Sequence, residues 1–539
     1  MINKILIVLI LLSSFAFSQS NLNNKYRLGQ TFEASGNLNK AKEIYQELVL
    51  TQPNNNQYSN ALNEIYLKLK EYDNSILFLS NRIKQRPNDV SLYGMLGASY
   101  FLKGSTDEAI DAWDNGIKVN NSSQINYTII SNAAIQYRAF EIAIKYLKEG
   151  KEKAKNPSQF AYQLAQIYTY TMEYKKAAME YVEALIQQPS QLSYIQRRMD
   201  TYLSAVGSID ESIEVVSREA DNIVVKELLS YLFKRNNQYD KAFELEVELE
   251  KNKKSDGVRI FNFANEAYQA RQLSVASIAY NYVIDNYPNS RFLPNCKVGF
   301  AKTLEAKLDK DWNDAKANWK PISDIDTTSA SKYNKVIETY ESILAFVNGE
   351  LANESLFRIG KIYKNKFNDT RKAEEYFKKI ISNSSLSSYY GKANMELAKI
   401  YVQSNNLIEA KKKLGKVVAS SQSEYDDKEE AKFLLATIHF YENNFTAALS
   451  IIASIKQDLS NNISNDAIEL EMIINVGKRD SVNLSKFANA DFLTTQYRFD
   501  EAEAEYKNLS ENKNLFFINN ISRYKYAEIL IAQGKYGFA

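Results

Sequence analysis

Pro53 and Pro87 stand 34 residues apart, Gly29 and Gly97 twice that far, and Pro87 and Pro189 three times that far. A fixed period of 34 reads as one small helical hairpin repeated end to end, each copy packed on its neighbours. A stack of that kind offers extended surface, so function is expected in a surface rather than a pocket.

The third unit, Val90 to Ser123, shows the design most plainly. Leu96, Gly97 and Tyr100 lie in its first half, Gly104 marks a turn, and Ala109, Ile110, Trp113 and Gly116 lie in its second half. Spacings of three and four place the large residues on one face of each of two short helices. Gly97 and Ala109 are small where the helices must approach, Tyr100 and Trp113 fill the space between hairpins, and Gly104 can end the first helix by taking positive φ. The same register holds Leu28, Gly29, Phe32, Gly36, Ala41, Tyr45 and Pro53 in the first unit, and Leu62, Tyr66, Leu79 and Pro87 in the second. It returns as Leu164, Ala165, Tyr168, Ala177, Tyr181 and Pro189, as Phe263, Ala264, Ala276, Tyr280 and Pro288, and as Leu397, Ala398, Tyr401, Ala410, Leu414 and Val417. A proline closing a unit stops its second helix.

On these residues the chain resembles the tetratricopeptide repeat (TPR) family. The resemblance implies an all-α, right-handed α-solenoid of about thirteen antiparallel helix-turn-helix units. It also implies a concave groove lined mainly by first helices, protein or peptide binding, and no catalysis.

The first residues follow another logic. Lys4, the apolar run Ile5 to Leu12 and Ala16-Phe17-Ser18 form the charged region, apolar core and small-x-small site of a signal peptide, expected at 1–18 with Gln19 as the new N-terminus. The protein is therefore expected in the periplasm or at the outer-membrane surface of a Gram-negative bacterium. A single cysteine, Cys296, permits no intramolecular disulfide and reads as a small buried residue. A formal charge of +2 supplies no global field for nucleic acid or an anionic membrane. No run after residue 20 approaches the ~18 apolar residues of a membrane span.

The period fails in three places. Units from Gln191 to Ser255 keep helical spacing and lose most small residues. The stretch 309–331, with Trp312, Trp319 and Pro321, fits no unit and reads as an insertion whose second half is loop, dividing an array at 19–308 from another at 332–539. The third break, Asn461 to Leu484, holds a helical stretch from Asp466 to Val476 and a polar turn from Gly477 to Ser481. At the end, Tyr526, Ala527, Leu530, Gly534 and Tyr536 open a further unit that stops halfway, as expected of a piece of a longer protein.

Chemistry-bearing patterns are scarce. His439, the one histidine, takes a place that other units give to Tyr or Phe and reads as packed. With one His and one Cys no zinc site or Ser-His or Cys-His arrangement is recognisable, and no phosphate-cradling glycine motif occurs. The run Glu244, Glu246, Glu248 and Glu250 reads as solvated. No cofactor, metal or catalytic residue is expected.

What remains is a binding surface. If the family geometry holds, the first-helix positions facing the groove are Tyr26, Gln30 and Glu33, then Phe101, then Tyr162, Gln166 and Tyr170, then Phe261, Asn265 and Tyr268. Aromatic rings beside amides suit an extended peptide. The leading expectation is an exported, non-enzymatic interaction scaffold of the cell envelope. The alternatives are the input domain of a signalling protein continuing beyond residue 539, and the binding accessory of a carbohydrate- or peptidoglycan-active protein.

Overall fold

A computed structural model describes residues 21–539 apart from 122, 254, 316–329, 459–462 and 513–515; the expected signal peptide lies outside them. The described residues hold helices and turns and no strand. Helices follow one another as hairpins: 21–34 with Leu38–Thr51, Asn56–Lys68 with Tyr72–Gln85, Val90–Lys103 with Thr106–Lys118, Gln124–Gln136 with Phe140–Lys153, and Ser158–Tyr170 with Tyr174–Gln187. The short pair Leu192–Asp200 and Ser208–Ser217 comes next, then Ile223–Arg235 with Tyr239–Lys253 and Val258–Gln269 with Leu273–Asn286. The later pairs are Leu293–Ala315 with Asn334–Leu344, Glu350–Asn365 with Thr370–Asn383, Tyr389–Gln403 with Leu407–Ala419, and Tyr425–Tyr441 with Phe445–Ile455. Ser464–Gly477 intrudes before Ser481–Thr495 pairs with Phe499–Glu511, and Phe516–Ala532 begins one more unit. The chain forms two compact units that meet at Leu245 and Glu246, inside Tyr239–Lys253.

The turn within each hairpin is one device repeated. Gly36, Lys70, Gly104, Arg138 and Met172 have φ of 79, 59, 93, 62 and 61° at successive intervals of 34 residues. The next residue donates its amide back five residues, as Ser105 does to Tyr100 (3.0 Å) and Glu173 to Tyr168 (2.8 Å). This is the Schellman closure, which satisfies carbonyls left open at a helix end. Asn237, Arg271, Asn405, Asn443, Tyr497 and Gly534 do the same later in the chain. Sequence marked only the glycines, because an L-residue visits this region at a cost of roughly 1–2 kcal/mol that packing elsewhere must offset.

Packing follows an equally regular rule. In nine second helices a small residue is followed four positions later by a large one, and both are buried: Ala41 and Tyr45, Ser75 and Leu79, Ala109 and Trp113, Ala143 and Leu147, Ala177 and Tyr181, Ala276 and Tyr280, Ala373 and Phe377, Ala410 and Leu414, Ala502 and Tyr506. Sixteen or seventeen residues before the large one, the first helix carries a small partner. At Gly29, Gly97 and Gly360 an added Cβ would lie 2.5 Å from Tyr45, 2.3 Å from Trp113 and 2.6 Å from Phe377. The Trp113 ring is also pinned, since its Nε1–H donates to the Gly94 carbonyl at 3.0 Å. From Val336 through Ala373 to Ala410 the interval lengthens to 37 residues because the first helices grow: Glu350–Asn365 has 16 residues where Asn56–Lys68 has 13.

Adjacent first helices are stitched by polar pairs. Lys68 meets Glu33 at 2.6 Å, and Glu33 also accepts from the Tyr45 hydroxyl at 2.9 Å, so this expected groove residue is engaged within the array. In the second unit Lys302 reaches Glu354 (2.9 Å), Arg358 reaches Glu305 (3.0 Å), and Lys364 and Lys361 converge on Glu396 (2.5 and 3.1 Å). Burial alone would raise the Glu396 carboxyl; Lys364, Lys361 and Lys399 outweigh it and hold the group at about 2.

Two expectations change. Glu246 and Glu250 are buried rather than solvated. Glu250 accepts the Gly257 amide (2.8 Å), the Arg259 amide (3.2 Å) and the Ser255 hydroxyl (2.5 Å), while Glu246 pairs with the Arg259 side chain. A carboxylate there caps the start of Val258–Gln269, where open amides and the helix dipole favour negative charge. Trp312, expected in an insertion, lies in the long helix Leu293–Ala315 and packs edge-on against Tyr333 at 5.9 Å; Trp319 and Pro321 lie outside the described residues. Cys296 is fully buried as expected, and burial pushes its thiol up to about 12.

Replacing Gly97 with Ala should cost about 1–3 kcal/mol by overpacking the pinned indole. Hydrogen exchange should show amide protection lost in Val90–Lys118, while Gly415→Ala, with nothing within 4 Å of its new Cβ, should be neutral or slightly stabilising. Equal effects of the two changes would refute the packing rule. For Glu396 the sign follows from its depressed value: the ionised carboxylate stabilises the fold above its ordinary value of 4.5, and that contribution disappears as pH falls toward about 2. Protection across Glu350–Gln403 should therefore fall over that window, and Glu396→Gln should flatten the dependence.

Candidate functional site

The ten expected groove residues, Glu33 among them, fall into two groups, seven in the first compact unit and three in the second. Gln30 is exposed, and Tyr170 is 57% exposed, with its hydroxyl accepting from Gln166 at 2.8 Å and its ring 6.4 Å from Phe140. The others are half-buried. Tyr26 leans on Tyr45 and Tyr58 (5.6 and 5.4 Å), Phe101 on Trp113 (6.1 Å), and Tyr162 meets Tyr194 edge-on at 5.3 Å. Phe261 stacks on Phe292 at 5.1 Å, and Asn265 accepts from the Tyr280 hydroxyl at 2.6 Å. A large side chain at these places reaches the next hairpin, so most of these rings contribute to the joints between units.

Tyr268 borders a cavity of about 470 Å³ with Arg271, Lys302, Glu305, Asp309 and Arg358. Its charges are largely engaged: Arg358 with Glu305 and Glu354, Lys302 with Glu354, and Asp309 with Lys366 at 2.8 Å and the Tyr333 hydroxyl at 2.8 Å. This cavity lies inside a network of charges that are largely paired with one another.

A second cavity, about 370 Å³, has a different character. Phe433, Leu434, Thr437, Ile438, Phe440 and Tyr441 line it from first helix Tyr425–Tyr441, and Phe487, Asp491 and Thr495 from first helix Ser481–Thr495. The intruding helix Ser464–Gly477 forms the opposite wall with Leu470 and Ile473 and sets Asp466 and Glu469 at the rim. The intruder docks because Ala467, Leu470, Ile473, Ile474 and Gly477 are buried along one side. Asp491 supplies the polar floor, accepting from the Tyr441 hydroxyl (3.0 Å) and the Tyr506 hydroxyl (3.3 Å). Tyr441 stacks on Phe492 at 4.9 Å, which fixes its hydroxyl. Burial holds the Asp491 carboxyl above the usual carboxylate range against the lowering effects of Lys525 and the two tyrosines. Apolar walls with few convergent polar groups are the composition of a ligand-binding cavity.

None of these lining residues was among the expected ten. The one signal in the sequence was the break in period from Asn461 to Leu484, where the helix that walls the cavity is inserted. His439, nearby in sequence and expected to be packed in the core, is half-buried, with Nδ1 3.5 Å from Glu442. Among the described residues no cluster of ligating side chains has metal-site geometry, and no helix is long and apolar enough to cross a membrane.

Residues 22–55 match a family model described as tetratricopeptide repeat, and residues 361–467 match one described as tetratricopeptide repeat-like domain. No curated protein matches the sequence. Similar solved structures include the Naa15/Naa10 complex bound to HypK-THB (12% identity, 95% of this chain and 80% of that one, TM-score 0.27). They also include the Cut9–Hcn1 hetero-tetramer of APC/C (9%, 92% and 95%, TM-score 0.31) and the human IFIT1 dimer with PPP-AAAA (13%, 81% and 94%, TM-score 0.30). At such scores these likenesses say nothing of what this chain binds. Two separate stretches are thus similar to tetratricopeptide repeats, and the described residues elsewhere form helical hairpins with the same small-against-large packing.

Proposed function

We propose that this protein is an exported scaffold of the bacterial cell envelope that holds an extended segment of a partner protein, anchored in the cavity above Asp491. The observation that carries the binding part is that cavity: two first helices and an inserted helix enclose apolar walls that no described side chain fills. Hairpin packing does not require it, since the other hairpins close over their large residues without an inserted helix. Export rests on Lys4, the apolar run and the Ala16-Phe17-Ser18 site.

Thr437 lies half-buried on the cavity wall, so Thr437→Trp should fill the space while leaving the hairpin joints intact. Partner protein retained from envelope extract by the immobilised chain should fall about tenfold or more in this variant, as truncating or blocking a central anchor does. Equal retention by both chains at unchanged thermal stability would overturn the anchored-segment reading. N-terminal sequencing of the mature protein from envelope fractions should begin at or near Gln19; full-length protein starting at Met1 in the cytoplasm would overturn export.

A further inference from the structure

We infer that the occupant of the Asp491 cavity is an arginine side chain of the partner segment; this deepens the reading above and rests on it. The charges around the cavity are unequal. Asp466 and Glu469 stand exposed at the rim and Asp491 lies at the floor, while the helix Tyr425–Tyr441 contributes only uncharged groups to the lining. The single cation among the described lining residues, Lys525, is already held by Glu528 at 3.1 Å. Lys456 and Glu471 neutralise each other at 2.5 Å. Three carboxylates thus face a space whose one ammonium has its own counter-ion, and an incoming cation meets a complementary field.

The shape of the polar groups favours a guanidinium. Tyr441 and Tyr506 each donate to a different oxygen of Asp491, so each oxygen keeps a free acceptor site. A planar fork can use both together, and rings such as Phe433, Tyr441 and Phe487 can receive its face. Leu470, Ile473 and Ile438 suit the aliphatic stem. A glutamate would meet three like charges, and an aliphatic side chain would take hydration from Asp491 and return no hydrogen bond. The volume, near the lower end of the ~300–1,000 Å³ of small-ligand sites, fits one or two side chains rather than a folded surface.

The test uses the full chain and a fluorescein-labelled heptapeptide with Phe-Arg-Phe at its centre and glycine and serine elsewhere, read by fluorescence anisotropy. Two further peptides replace the arginine with citrulline, which keeps its shape without its charge, or with glutamate. The arginine peptide should bind about tenfold tighter than the citrulline peptide, and tighter still than the glutamate peptide. Asp466→Lys with Glu469→Lys, both at exposed positions, should erase that preference, and Thr437→Trp should abolish binding of all three. Thermal unfolding of each variant, matched to the parent chain, shows that the fold survives. Arginine and citrulline peptides of equal affinity, no saturable binding of the arginine peptide up to about 1 mM, or a preference that survives the rim substitutions would overturn the inference. If Thr437→Trp lowers partner retention while the peptides show no arginine preference, the arginine inference falls and the anchored-segment reading stands. If retention does not change, both fall.

Discussion

Everything in this array depends on one contact: the large side chain of a second helix seated against a residue with little or no side chain on the first. Where that residue is Gly97, the ring of Trp113 lies closer than any Cβ would permit, and a hydrogen bond to the Gly94 carbonyl holds it there. Burying a ring of that size removes a large apolar area from water, at about 25 cal/mol per Å². Two short helices have no other means of staying together, since isolated helices of 13 or 14 residues are marginal in water. The Schellman turns then fix the angle at which the second helix returns, even where Lys70, Arg138 or Met172 must take a left-handed conformation. That such residues are tolerated shows how strongly the packed hairpin dictates its own turn.

Polar links between neighbouring first helices add specificity to this apolar adhesion. One hydrophobic hairpin resembles another, so nothing apolar distinguishes the correct neighbour from a slipped one. Pairs such as Lys302 with Glu354, Arg358 with Glu305, and Lys364 with Glu396 are satisfied only in one register. Breaking one half of such a pair leaves a half-buried charge without its partner, at a cost of about 3–5 kcal/mol for a buried case. Regularity is therefore enforced twice, by shape and by charge.

The cavity arises where regularity is interrupted. Inserting Ser464–Gly477 between two hairpins places a helix against faces that elsewhere pack on other hairpins, and its residues do not match them closely enough to fill the space. A repeat fold acquires a distinctive site in this way: the repeats supply a stiff frame, and one irregular element supplies concavity and charge. Two phenols hold the Asp491 carboxylate in place at the floor of that cavity.

The amino-acid sequence by itself determined the helical hairpin, its period, the positions of Gly97, Ala109, Tyr45 and Tyr181 in the core, and the places where the pattern stops, because these follow from residue size repeated at fixed spacing. It also indicated the helix between Asp466 and Val476. Tertiary structure alone decided the rest. Tyr26 and Phe261, which look like spare aromatics along one helix, are half-buried against Tyr58 and Phe292, rings that only hairpin stacking brings near. Glu246 and Glu250 look like a solvated run until the start of the next helix presents its open amides to them. Asp491 stands 50 residues from Tyr441 and becomes the floor of a cavity only when non-adjacent helices pack around it. Local spacing encodes which face of a helix is apolar; it does not encode what that face will meet, since that depends on contacts between residues far apart in the chain.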